Sequence, residues 1–329
     1  MNSNFNSLPK VELHVHLDCC LSYKALKKIN PKISYDDFQT QFIGTSCNCL
    51  KDYIKCADRA LEYMQTKEEL DIIVEDIFDQ FKADNVVYAE IRFAPLLHLN
   101  KGLRPMQVVE IISKKTIEKS KITGIEVNLI LCTLRHYSEK QSLETINLIK
   151  DFSGDNVVGF DIAADEAGFP LDNHIQAFKL AKESNIYCTA HAGEALGANS
   201  VLESLEKLKP SRIGHGVRSV ENKSLLKKLK ENNIHLELCL TSNIVTKVYD
   251  SFKDHPVDFL YNNEFSISIN TDGRTISDTN LNKEYNILGT HFKWIKSHFL
   301  KVNINSMEAS FAKSNIKTKI ISLLKSSYI

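Results

Sequence analysis

Eight short β-branched or apolar runs recur along the chain, at 11–16, 86–92, 125–131, 157–162, 186–191, 212–215, 234–240 and 265–270, with helical periodicity between them. Most begin roughly 20 to 40 residues apart, room for a strand, a helix and two loops. Repeated eight times, that spacing predicts an α/β fold, a (β/α)8 barrel. A length of 329 residues at about 150 per domain suggests two domains, but such barrels often run longer as one. No Pro/Ser/Gly-rich linker or repeat divides the sequence, so a single barrel domain over 1–329 is expected.

The intervening segments read as helices. Between 67 and 84, apolar residues fall at Leu70, Ile73, Val74, Ile77, Phe78 and Phe81, the rhythm of an amphipathic helix. Thr66 with Glu69 supplies a capping box before it. Ser219-Val220-Glu221 opens a similar segment through Leu225, Leu226 and Leu229. The interval from Asp18 to Asp84 is too long for one crossover. It must hold extra helices after the first strand, one of them at 51–64, packed beside the barrel mouth where insertions shape pockets.

Composition narrows the class of partner. Apolar residues at 43% and charged residues at 25% exclude extensive disorder. Forty-one basic residues balance 41 acidic ones, so no nucleic-acid partner is expected and a small molecule in a pocket is. No apolar stretch approaches the ~18 residues that span a membrane. The first residues lack the basic and apolar regions of a signal peptide, which leads to the expectation of a cytoplasmic protein whose eight cysteines stay reduced. The adjacent Cys19-Cys20 and the Cys47 and Cys49 pair lack the spacing of structural zinc thiolates.

In a parallel barrel the chemistry gathers where the strands end. The first run ends in His14-Val15-His16, and alternation along a strand points both imidazoles the same way. Alone, such a pair fits hydrogen-bonded core histidines as well as half of a metal shell. Further runs end in His191-Ala192-Gly193-Glu194, Gly214-His215-Gly216 and Asn270-Thr271-Asp272-Gly273. A third histidine and an aspartate would complete a four-ligand shell with a position left for water. Together these strand ends point to a metallohydrolase.

Ordered stretches carry a closer likeness: 9–18 (PKVELHVHLD), 89–95 (AEIRFAP), 131–136 (LCTLRH), 158–163 (VGFDIA), His191-Ala192-Gly193-Glu194, 212–216 (RIGHG), Ser242-Asn243 and Asn270-Thr271-Asp272. On these the chain resembles the adenosine deaminase family of the amidohydrolase superfamily, over nearly its whole length. The resemblance implies the same barrel and one zinc ion per chain held by His14, His16, His191 and Asp272. It implies a 6-aminopurine nucleoside as the small-molecule partner, adenosine or 2′-deoxyadenosine, hydrolysed to the 6-oxopurine and ammonia in purine salvage. Glu194 resembles the family's proton donor to purine N1, which needs a carboxyl kept protonated. Asp272 resembles the residue that orients the attacking water and accepts its proton, and His215 the group that polarises it. His16 and Asp18 resemble substrate contacts, Asp18 to a ribose hydroxyl. Arg92 and Arg135-His136 read as structural ion pairs or supports, and Lys313, Lys317, Lys319 and Lys325 as a solvated helix face.

Three positions depart from the family's pattern. Cys19 and Ala164 each stand where glycine is usual, the latter at a backbone N–H that meets purine N3. Gly273 stands where a second aspartate usually reaches purine N7, a charge-assisted bond worth about 1.5–3 kcal/mol. Aminodeoxyfutalosine, 5′-methylthioadenosine and adenine are therefore alternative substrates. A nucleoside-binding barrel without catalysis would be expected to lack a ligand or Glu194, and the sequence has both.

Overall fold

In a computed structural model, which describes residues 5–152 and 154–329, the eight runs are eight parallel strands: β1 (Lys10–His16), β2 (Val86–Phe93), β3 (Glu126–Leu134), β4 (Val157–Ala163), β5 (Tyr187–Ala192), β6 (Arg212–His215), β7 (His235–Leu238) and β8 (Ile267–Ile269). Each pairs with the next in chain order. At the seam between β8 and β1, His16 N–H donates to Asp272 O and Asp272 N–H to His14 O, both at 3.0 Å. Farther along the seam side chains take over: Leu13 N–H donates to Asn270 Oδ1 at 2.8 Å and Val11 N–H to Asn303 Oδ1 at 2.7 Å. The 265–270 run therefore yields a strand of only three residues. The seam also sets Asp272 directly against the two histidines of β1.

Three helices, α1 (Tyr23–Ile29), α2 (Tyr35–Phe42) and α3 (Leu50–Leu61), precede the crossover helix α4 (Lys67–Ala83), as the long first interval requires. The next crossovers are α5 (Pro105–Thr123), α6 (Glu139–Asp151), α7 (Ile175–Glu183), α8 (Ala198–Lys207) and α9 (Lys223–Glu231). Short α10 (Leu240–Val245) and α11 (Val257–Asn262) join β7 to β8, and α12 (Leu281–His291), α13 (Lys296–Ala309) and α14 (Ser314–Ser327) follow. Thr66 and Glu69 form the expected reciprocal cap of α4. The start of α9 differs from the reading at Ser219. The chain coils through a 3-10 turn at Val217–Glu221, and Asn222 Oδ1 instead accepts the N–H groups of Ser224 and Leu225. Among the described residues no helix is long and apolar enough to cross a membrane.

Strand alternation sorts the barrel into two environments. Leu13, Ile91, Leu129, Ile162, Ala190, Leu236 and Ile267 point outward and are fully buried beneath the helices; each large one contributes roughly 1.5–3 kcal/mol. The interior is ionic. Arg92 bridges Asp161 and Glu237, both at 2.8 Å, and Arg212 reaches Glu90 at 2.6 Å and Glu237 at 2.7 Å. Buried charges are tolerable only when paired in this way, and this lattice lies directly under the strand ends.

Candidate active site

His14 and His16 project from β1, His191 from β5 and Asp272 from just past β8. Their four donor atoms lie within 4.8 Å of one another. His14 Nδ1 is 2.9 Å from Glu237 Oε2, and His191 Nδ1 is 3.1 Å from Asp161 Oδ2. Carboxylates can only accept, so both rings keep their proton on Nδ1 and present an Nε2 lone pair to the centre. His16 Nε2 faces His191 Nε2 at 3.1 Å. Asp272 Oδ1 is 3.4 Å from Nε2 of both His14 and His16, while buried His14 Nε2 has no hydrogen-bond partner. Converging lone pairs with one orphaned nitrogen are what a cation needs, so the donor set fits a divalent metal ion.

Local sequence explains the convergence. Gly214 on β6 points inward, and a β-carbon there would lie 3.0 Å from His14 Cε1 and 3.3 Å from His191. His215 (φ 60°), Asp272 (φ 62°) and Ala164 (φ 77°) all hold left-handed backbone at the barrel mouth. Each such residue costs roughly 1–2 kcal/mol, strain of the kind that gathers at functional sites. Asp272 is fixed further by Ser242, whose hydroxyl donates to Oδ2 at 2.6 Å.

Glu194 is buried beside this cluster, its Oε2 3.5 Å from His215 Nε2 and its Oε1 accepting from Thr246 Oγ1 at 3.2 Å. Burial, reinforced by the negative charges of Asp272 and Glu166, raises its pKa well above the usual carboxylate range. Burial would raise Asp272 too, but the surrounding imidazoles hold it well below. Burial keeps His215 neutral, its pKa pushed well down. Two carboxyls in one pocket are thus driven toward opposite protonation states, the pattern of an acid and a base.

Of the remaining expected residues, Asp18 and Ala164 line the same cavity, which encloses about 830 Å³ including its mouth, and Gly273 does not. Asp18 borders it, with His98 Nε2 at 2.9 Å from one oxygen and Ala94 N–H donating to the other at 3.0 Å. Ala164 lines it too. At Gly273 a β-carbon would overlap the Tyr53 hydroxyl and come within 2.8 Å of Cys19 Cβ. The space where the family's second aspartate would project is therefore filled by a phenol from α3 and by Cys19. Arg92 is the expected buried ion pair. Arg135 takes the other expected role, a support: its guanidinium donates to His191 O at 2.8 Å and braces that backbone. His136 lines the cavity.

Several working residues escaped sequence reading. Glu166 accepts the N–H groups of Gly193 (2.7 Å), Glu194 (3.0 Å) and Leu196 (3.0 Å) and the Ser200 hydroxyl (2.5 Å), and so shapes the loop that carries Glu194. Its place two residues after Ala164, at a strand end, was the available signal. Asp161 and Glu237 set the imidazole tautomers; Asp161 lies within the family-like stretch 158–163 without a role assigned to it there, and Glu237 carries no motif of its own. Tyr53 lies in the inserted helices, where spacing says nothing.

A barrel with three histidines and an aspartate gathered at its strand ends, beside a buried acid, has the form of an amidohydrolase-superfamily enzyme. Comparison sharpens this: the Adenosine deaminase family model matches residues 9–327, and the chain belongs to that family, making it a deaminase-type aminohydrolase. An adenosine deaminase of Clostridium botulinum (strain Langeland) is 38% identical over 331 residues, covering 98% of each chain. Among solved structures, adenine deaminase from Arthrobacter aurescens superposes with a TM-score of 0.90 at 21% identity, over 97% of this chain and 99% of the other, a likeness of fold. Arabidopsis ADAL complexed with IMP gives 0.88 at 26% identity, over 98% of each chain.

Proposed function

We propose that this chain is a zinc-dependent deaminase of adenosine and 2′-deoxyadenosine, with His14, His16, His191 and Asp272 as metal ligands. The observation that carries the reading is the orphaned His14 Nε2 within a four-donor cluster, on the floor of the cavity that also holds Glu194 and His215. Zinc bound there supplies a Lewis acid that makes water nucleophilic near neutral pH. Glu194, kept protonated by burial, gives a proton to purine N1 and so makes C6 electrophilic. Asp272, kept ionised, orients the attacking water and takes its proton. His215 holds that water against C6. Asp18 and His16 stand at the wall where the sugar would lie, and Ala164 N–H at the wall facing the base.

The cavity's charge favours a nucleoside over a nucleotide. Among the described residues its lining includes Asp18, Asp58, Glu194 and Asp272 but no lysine or arginine. A 5′-phosphate would meet carboxylates there with no guanidinium or ammonium to receive it. The test is an ammonia-release assay of purified protein against adenosine, 2′-deoxyadenosine, AMP, adenine, 5′-methylthioadenosine and aminodeoxyfutalosine. Turnover of the first two with AMP inert is expected. Turnover confined to adenine, to AMP or to a 5′-modified nucleoside would overturn the substrate assignment.

A further inference from the structure

His215 is tied through two side chains to a group that can act in only one direction. Val257 N–H donates to His255 Nδ1 at 3.2 Å. A backbone amide only donates, so His255 Nδ1 carries a lone pair and the ring's proton sits on Nε2. His255 Nε2 lies 3.2 Å from the Asn243 side-chain oxygen, which must accept. The other end of that amide is then an NH2 group, and it meets His215 Nδ1 at 3.1 Å. His215 Nδ1 accepts, which leaves its proton on Nε2, the nitrogen that faces the cavity and Glu194. His255 is 2% exposed and Asn243 fully buried, so water does not compete for any link.

We propose that His255 and Asn243 are positioning residues that lock His215 in its Nε2–H tautomer, making it a hydrogen-bond donor to the oxygen attacking C6. This rests on the deaminase reading above and deepens it. An imidazole with Nε2–H has no lone pair toward the cavity, so His215 in this state neither takes the water's proton nor serves as a further metal ligand. Asp272 is left as the acceptor. The donor instead strengthens as negative charge develops on the attacking oxygen, the step at which a fixed N–H has most effect.

The test is long-range ¹H–¹⁵N NMR of ¹⁵N-histidine-labelled, metal-loaded protein, with His215→Gln used to assign its signals, alongside steady-state kinetics. Wild type is expected to show the His215 proton on Nε2. Asn243→Asp places a carboxylate at Nδ1, moves the proton there and lowers kcat by about 10²–10³-fold. Asn243 also hydrogen-bonds to Glu194, so the tautomer of His215 is the deciding readout; KM should stay within about threefold, because Asn243 reaches the substrate only through those two side chains. His255→Leu frees the amide to rotate and gives mixed tautomers, and His255→Gln, which keeps an N–H donor for Asn243, restores most of the Nε2–H form. A wild-type proton on Nδ1 overturns the proposal, whatever the variants do. So does an Asn243→Asp protein with unchanged tautomer and kcat. Absence of turnover with every 6-aminopurine, beside an Nε2–H spectrum, removes the deaminase reading and leaves the tautomer lock standing.

Discussion

His16 Nε2 and His191 Nε2 face each other at 3.1 Å, and the His191 proton is held on the far side of its ring by Asp161. Without an ion, His16 can meet the His191 lone pair only by holding its own proton on Nε2; with one, both nitrogens turn lone pairs to the cation and the pair becomes two metal bonds. Metal removal is therefore expected to lower stability as well as activity. Chelated protein should melt several degrees lower, and zinc at about 100 times its Kd should return roughly 2.7 kcal/mol. Elemental analysis should find one metal ion per chain. A melting temperature indifferent to chelation, with negligible metal content, would remove the assigned ligand set.

Glu194 is expected to act in its protonated form. Glu194→Gln keeps the shape of the side chain and leaves the four ligands alone, so metal content should persist while kcat falls by roughly 10²–10⁴-fold. The pH profile carries a sign. Burial and two neighbouring carboxylates raise the Glu194 pKa, so the acid form survives to higher pH than an ordinary glutamate allows. Activity should decline on the alkaline side as pH rises through that raised pKa, and the decline should be absent from any residual rate of the Gln variant.

How much of this was legible in sequence follows from where each constraint is local. Strand alternation and spacing placed His14, His16, His191 and Asp272 at strand ends, because period and order are sequence properties. The ranges shifted by a few residues where pairing moved from backbone to side chain, as at Asn270. Glu166, Glu237 and Asn243 act across the barrel on partners 27, 223 and 28 residues away. Nothing in their neighbourhoods announces those contacts. The absent second aspartate was visible at Gly273, but its replacement by Tyr53 was not, since 220 residues separate the two.

That replacement makes a coupled prediction. Gly273 N–H donates to the Tyr53 hydroxyl at 3.1 Å, and the hydroxyl also meets Ser277 Oγ at 3.0 Å. Gly273→Asp alone should clash, displace α3 and destabilise the protein by roughly 1–3 kcal/mol. Tyr53→Ala should lose packing and three hydrogen bonds, the third running from the hydroxyl to Gly273 O at 3.3 Å. The double variant should be more stable than the sum of the two losses predicts, with a coupling of roughly 0.5–3 kcal/mol in a denaturation cycle. Additive losses would mean that the two positions do not share one space.

Ala164 holds φ 77°, a conformation glycine adopts freely and alanine does not. Ala164→Gly should relieve roughly 1–2 kcal/mol of strain, offset by the roughly 0.5–1 kcal/mol glycine loses in ordering. The net expectation is a small gain in the urea midpoint with an unchanged slope. Loss of stability on this substitution would show that the methyl group packs usefully against the cavity wall.

Glu284 on α12 is fully buried, accepting from the Thr279 hydroxyl at 2.6 Å and from Thr241 N–H at 3.3 Å. Burial pushes its pKa up to about 7, from 4.5 for the unfolded group. Between those two values the folded chain holds a proton that the unfolded chain has released, so folding stability from this group falls as pH rises from 4.5 to 7. Above that window the folded state carries a buried charge worth on the order of 3 kcal/mol of lost stability. Glu284→Gln keeps both contacts, since the Thr279 hydroxyl can reverse its role and accept from the new amide. The variant should match wild type near pH 4 and exceed it near pH 8 in denaturant titrations. Parallel stability curves across that range would place the Glu284 proton with the unfolded chain as much as with the folded one.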